Sequence, residues 1–271
     1  MHLRRPAVFL LLLALFVAAL VTRSATRDRL ESPYFKGTSA MVYAHALAAS
    51  EGTPLDTVSS KANRPEGYTP ARYRADGFEQ AWAASFRAAR FVSEADGRDF
   101  ARRVTMFLAA LCVFTMYALA RRVWDCQAAG FVAAFLVAFL APFVLATNGR
   151  VFTHTVLVPF VDSAHALAAL LALRATTRRG AIVFGALTTA ASFALASAWE
   201  PGMVVLATWS GGIALSGLGE PRARAAVLWG HALAAVLASV LSPHLLATRA
   251  IGSWETAIVV ASALLPYSAR V

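Results

Sequence analysis

Cysteine is almost missing from this chain of 271 residues: Cys112 lies in an apolar stretch and Cys126 in a short loop, so no disulfide framework is built from them. Acid is scarce as well, with Asp and Glu together at 15 against 25 Lys and Arg. Ten of those acids fall between Thr22 and Arg103, which leaves the rest of the chain nearly without negative charge. No long polar segment exists outside that region, and a chain that is 58% hydrophobic with a mean hydropathy of +0.59 exceeds what one water-facing core can hide. An ordinary soluble domain is therefore excluded. The formal charge of +10 does not indicate nucleic-acid binding, because much of it is loop arginine of the kind that meets anionic headgroups. Closely spaced histidine pairs such as His-x-x-x-His are absent too, which argues against a histidine metal centre built from His165, His231 and His244.

What the chain does have is long apolar runs. Seven are read, at Pro6 to Val21, Val104 to Ala120, Ala128 to Ala146, Thr155 to Leu173, Ala181 to Ala198, Pro201 to Leu218 and Ala225 to Ala247. Each is near the roughly 20 residues a helix needs to cross about 30 Å of hydrocarbon, where a spanning segment must satisfy its own backbone hydrogen bonds. The expected fold is an all-α, polytopic membrane helix bundle of about seven spans with a large helical extracytoplasmic first loop. With a cytoplasmic N-terminus, the inside segments carry Arg4, Arg5, Arg121, Arg122, Arg174, Arg178, Arg179, Arg222 and Arg224, and the short outside loops only Arg150 and Arg249. That asymmetry predicts an N-in, C-out orientation, and the composition suits a bacterial inner membrane. Organisation follows: residues 1–21 as N-terminus and signal-anchor, 22–103 as the loop, 104–247 as the bundle, and 248–271 as a C-terminal segment stopped by Pro266. The first run follows a basic start and precedes Ser24 and Ala25, so a cleaved signal peptide is the competing reading, with Arg23 set against the cleavage site.

Two parts of the first loop are predicted helical and amphipathic: Thr38 to Ser50, with Met41, Val42, Ala46 and Leu47, and Gly77 to Val92, with Phe78, Trp82, Phe86 and Phe91. Pro54, Pro65, Gly67 and Pro70 make the segment between them irregular, so the whole is read as a lid over the bundle. Inside the bundle, Asp162 and His165 need an inward face and a partner, since a charge at membrane depth costs a few kcal/mol or more. They line a polar cavity with His154, or Asp162 pairs with His165 or Ser163 and merely holds helices together.

The order of parts, with Ser39-Ala-Met-Val-Tyr-Ala-His-Ala46, Glu51-Gly52, Asp56 and Arg64-Pro-Glu-Gly-Tyr68, resembles the GT-C superfamily of integral-membrane glycosyltransferases, within it the bacterial relatives of the oligosaccharyltransferase catalytic subunit. The resemblance covers about residues 30 to 270. It implies transfer of a sugar from a polyprenyl-phosphate donor at the extracytoplasmic face, a divalent metal (Mg or Mn) as cofactor, and membrane lipids as surroundings. On this resemblance Asp28, Asp56 and Glu200 are candidate catalytic acids, with Glu31 and Glu79 as substitutes, while Arg150, Asn148 and His154 are candidates for holding the donor. Thr38 or Ser39 stands where the family has a metal-binding acid, and His154 and Thr155 stand where another is expected, so no metal ligand set is assigned. The family's acceptor-reading motif of tryptophans with an aspartate is not found, and the chain is read as an N-terminal portion or a reduced relative. A non-catalytic glycolipid-binding or assembly protein is the alternative. A transporter comes third, favoured by Asp162 and His165 but by no inverted repeat or broken helix.

Overall fold

The computed structural model describes residues 4–28, 38–52, 77–90, 96–149, 152, 154–199, 201–216, 220–242, 245–246 and 248–268. Its helices in chain order are α1 (Arg5–Asp28), α2 (Thr38–Ser50), α3 (Gly77–Arg90), α4 (Gly97–Trp124), α5 (Gln127–Phe139), α6 (Ala141–Ala146), α7 (His154–Leu173), α8 (Arg178–Ala198), α9 (Gly202–Ser216), α10 (Pro221–Leu241), a short 3-10 turn at Ala250–Gly252, and α11 (Trp254–Ser268). No strand occurs among the described residues. The chain is an all-α polytopic helix bundle.

Among the described residues five helices are long and apolar enough to cross a membrane: α1 as far as Ala25, α4, α7 from Val156, α8 and α10. Two of the seven expected runs form helices shorter than that length among the described residues. The third apolar run divides at Leu140 into α5 and α6, of 13 and 6 residues. The sixth is α9, whose 15 residues rise only about 22 Å. The seventh ends at Leu241, short of the expected Ala247. Beyond it α11 runs on to Ser268, past Pro266, where the helix was expected to stop. The first loop is shorter than read, because α1 continues to Asp28 and α4 begins at Gly97, where Asp96 accepts a hydrogen bond from the Asp99 backbone N–H.

Contacts divide the chain into two compact units, residues 1–51 with 79–163 and residues 52–78 with 164–271. In the first, α1 packs on α4, α5 and α6. Val8, Leu12 and Ala19 meet Ala110, Val113, Tyr117, Ala134 and Ala138, with Phe16 set edge-on to Phe107. Small residues draw α4 and α5 together. A Cβ on Gly130 would lie 2.8 Å from the Tyr117 ring, so only glycine fits.

The division at Leu140 has a local cause. Pro142 lacks the N–H that the Ala138 carbonyl would receive in a continuous helix, and Leu140 takes φ −60, ψ 114. Arg23 on α1, 0% exposed, replaces the missing donor. Its guanidinium donates to the Ala138 carbonyl (3.2 Å), the Val137 carbonyl (3.1 Å), the Ala19 carbonyl (3.1 Å) and Thr147 Oγ1 (2.9 Å), and lies 5.2 Å from the Phe143 ring centre. Among the described residues no carboxylate pairs with Arg23; its donors are taken up by carbonyl and hydroxyl oxygens and the face of a ring.

In the second unit α8 packs along α10, and α9 and α11 cover them. Gly185 faces Ala226 and Gly230 faces Thr189, where a Cβ would come within 2.6 Å of the Thr189 hydroxyl oxygen. The turn from α8 into α9 is closed so tightly that a Cβ on Gly202 would lie 2.8 Å from the Leu195 carbonyl carbon. Large apolar side chains such as Leu10, Val132, Ile182, Leu215 and Leu241 are exposed, as lipid-facing side chains are.

Both loop helices form where expected, with one correction. On α3 the residues Phe78, Trp82, Ala83 and Phe86 are buried while Gln80, Ser85, Arg87 and Arg90 are exposed, so it is amphipathic as read. Phe91 lies outside the described residues. On α2 Val42 and Ala46 are fully buried, but the opposite side is also apolar, with Ala44 exposed and Leu47 half-buried. Only two charges or titratable groups, Tyr43 and His45, interrupt it, so α2 is apolar all round rather than amphipathic.

Candidate functional site

An aromatic assembly with polar neighbours lies in the first unit, at the N-terminal end of α4. Trp82 from α3 is its centre: it stacks on Phe86 (centroids 4.8 Å apart) and meets Tyr43 of α2 (5.9 Å), Phe100 of α4 (6.0 Å) and Phe152 (5.6 Å) edge-on. Tyr43 also meets Phe152 at 5.8 Å. Such pairs favour edge-to-face geometry because the ring quadrupole is negative on the face and positive at the rim. Gly97 admits the cluster to the start of α4, since a Cβ there would sit 3.0 Å from the Tyr43 hydroxyl and 3.1 Å from Phe86.

The segment between α6 and α7 reaches the same place. Thr147 and Asn148 are buried, and Gly149 turns with φ +80 directly against the Arg102 carbonyl, 3.2 Å from where its Cβ would be. Phe152 then enters the aromatic cluster. The two loop helices, the start of α4 and the segment containing Asn148 thus converge at one end of this unit. Of the segment read as a lid, the proline- and glycine-containing part at 53–76 lies outside the described residues.

At this end the carboxylate-bearing Glu79 is buried, 3% exposed on the inner face of α3 one turn from Trp82 and Ala83. Burial raises the Tyr43 phenol above its ordinary pKa, and the negative charge of Asp96 pushes it the same way, while Arg98 and Arg102 oppose. The Arg102–Asp99 pair at 3.9 Å is half-exposed and contributes little.

The candidate residues fall unevenly. Asn148 is at this end and buried. Arg150, Asp56, Glu200 and Glu31 lie outside the described residues. Asp28 is the last residue of α1 and His154 the first of α7, and nothing about their side chains is described. Among the described residues no group of three His, Cys, Asp or Glu converges to hold a metal ion. Glu79 alone is not an oxygen cage of the kind Mg²⁺ or Mn²⁺ requires, so the described residues do not make up the ligand set that the resemblance implies.

Within the spans, the expected pairing of Asp162 with His165 or Ser163 is corrected. His165 Nε2 lies 3.0 Å from His231 Nε2, and His231 Nδ1 lies 2.9 Å from Ser210 Oγ, with the Trp209 ring 5.4 Å edge-on to His165. All three members of this chain are fully buried, joining α7, α9 and α10 within the second unit. One imidazole must donate and the other accept, so the pair holds a single proton between them. His165 Nδ1 has no hydrogen-bond partner among the described residues. Ser163 bonds instead to Thr115 of α4 at 2.7 Å, and the Asp162 Oδ1 atom is buried without a hydrogen-bond partner among the described residues. These contacts are helix staples, since a polar side chain in a span gains most by finding another. The histidine pair, Arg23 and the burial of Glu79 were not anticipated. The only advance signal was the rule that an intramembrane polar group has a partner, and it does not say which. Compared with protein-family models and with curated proteins, the chain finds no match in either.

Proposed function

We propose that this chain acts at the extracytoplasmic face of a bacterial inner membrane, N-terminus inside, as a GT-C-like transferase that takes a sugar from a polyprenyl-phosphate donor. What supports the reading is the convergence of α2, α3 and the Asn148 segment over one end of α4, with the buried Glu79 carboxylate on the converging face. In this reading Glu79 receives the proton of the acceptor nucleophile. The nucleophile attacks the anomeric carbon, the bond from that carbon to the phosphate oxygen breaks, and polyprenyl phosphate leaves with the electron pair. Configuration at the sugar inverts. Arg150 and Asn148 hold the phosphate, arginine by its two-pronged match to phosphate oxygens. Asp28, Asp56 and Glu200 complete the rim in the proposed arrangement, and no step depends on a metal.

A second reading, a glycolipid-binding protein without chemistry, is favoured by the missing metal-ligand cluster among the described residues. Both predict that a polyprenyl-phosphate sugar shields the segment from 29 to 96 against limited proteolysis in the purified protein, and that Arg150→Ala removes the shielding. Cleavage unchanged by donor would reject both readings. Donor-independent cleavage together with ion-driven uptake into vesicles would establish a transporter in their place.

A further inference from the structure

A cavity of about 590 Å³ opens in the second unit between the starts of α8 and α10, far in sequence from the residues assigned to sugar transfer. Its walls include Thr177 and Arg178 at the head of α8, Glu220 and Arg222 at the head of α10, and the apolar Ile182 and Ala226 one turn further in. The small residues explain why a cavity exists there: α8 and α10 touch closely at Gly185, Ala226 and Gly230, and the space lies where their first turns leave that contact. Arg178 and Arg222 are exposed, and no ion pair to either exists among the described residues. Glu220 precedes α10 without capping it through its side chain.

From this layout we infer that the cavity binds the phosphodiester headgroup of a membrane glycerophospholipid. Two guanidinium groups provide forked donors for the phosphate oxygens, and the head of α10, which no side chain caps, adds backbone N–H groups of the same sign, while at the head of α8 Thr177 Oγ1 already accepts from the Gly180 N–H. Glu220 supplies the complementary acceptor for a hydroxyl or ammonium next to the phosphate. A lipid rather than free phosphate fits because both helices are long and apolar enough to cross a membrane, and Ile182, 60% exposed, continues the wall into the apolar zone where an acyl chain would lie. The volume matches one headgroup and the first part of its chains. Binding here is independent of sugar transfer, since none of these residues belongs to that proposed site.

The test is native mass spectrometry of the full chain in detergent with phosphatidylglycerol, phosphatidylethanolamine or phosphatidylcholine added. The double variant Arg178→Lys, Arg222→Lys keeps the charge that orients the helices but loses the forked geometry, and should bind phosphatidylglycerol about tenfold more weakly. Glu220→Gln should leave the overall affinity nearly intact and erase the preference for phosphatidylglycerol and phosphatidylethanolamine over phosphatidylcholine. Millimolar inorganic phosphate should not displace the lipid. Equal affinity in the double-lysine variant, or displacement of lipid by inorganic phosphate, overturns the assignment.

Discussion

Arg23→Ala unfolds the first unit at markedly lower temperature, a loss of about 2–5 kcal/mol, because it strips donors from two buried carbonyls that no helix turn can serve. Two effects oppose. Alanine relieves the cost of burying a guanidinium, which is several kcal/mol for an isolated ion. Against that, the charge in this protein is solvated by the Ala138, Val137 and Ala19 carbonyls, the Thr147 hydroxyl and the Phe143 ring, so most of that cost is already met. Each orphaned carbonyl then costs about 1–3 kcal/mol with no water to replace the donor. The carbonyls therefore decide the sign. A second substitution separates this account from a general packing loss. Pro142→Ala restores an N–H able to reach the Ala138 carbonyl, so it should recover part of the stability in the Arg23→Ala background while doing little in the parent. Thermal unfolding in detergent measures both, and an Arg23→Ala variant as stable as the parent would contradict the role given to this side chain.

Trp82→Ala has the second large effect, and a more local one. The indole is 3% exposed and touches rings from α2, α3, α4 and the Phe152 segment, so its removal opens a cavity at the centre of the cluster where these parts meet. Truncating a buried tryptophan typically costs about 3–5 kcal/mol. The spans remain held by their own contacts, so the cost falls on the loop helices: amide exchange in α3 should accelerate about a hundredfold or more while exchange in α4 below Phe100 stays slow. Trp82→Phe keeps a ring in the cluster and should lose far less. Equal acceleration through α1 and α4 would show that the loop helices are part of one cooperative core instead.

Particular elements show how much could be read in advance. The loop helices were legible because Phe78, Trp82 and Phe86 recur at the helical spacing against a polar background. The break at Leu140 was not, although Pro142 is plain in the sequence, because every neighbour from Ala128 to Ala146 is apolar or small and a uniformly apolar run has no phase to lose. Arg23 entered the sequence reading only as a residue set against a cleavage site. Its partners are more than a hundred residues away, at Val137, Ala138 and Thr147, and only tertiary packing brings them together. The same holds for His165 and His231, 66 residues apart. At the candidate site Asn148 was singled out on a family pattern and does lie buried where the loop helices converge. Glu79 was named only as a substitute among the ten loop acids, since an isolated carboxylate has no spacing by which to tell a buried position from a solvated one.

Single-turnover assay of the purified full chain with a polyprenyl-phosphate sugar tests most directly the sugar transfer proposed for the α2–α3 end of the first unit. The account predicts release of polyprenyl phosphate with inversion at the anomeric carbon, a fall of at least about a hundredfold in Glu79→Gln, as expected for loss of a general base, and unchanged membrane insertion. Transfer at the parent rate in Glu79→Gln would remove that residue from the mechanism. Donor binding with no transfer by the parent protein would contradict the transferase reading and leave the chain a glycolipid-binding protein.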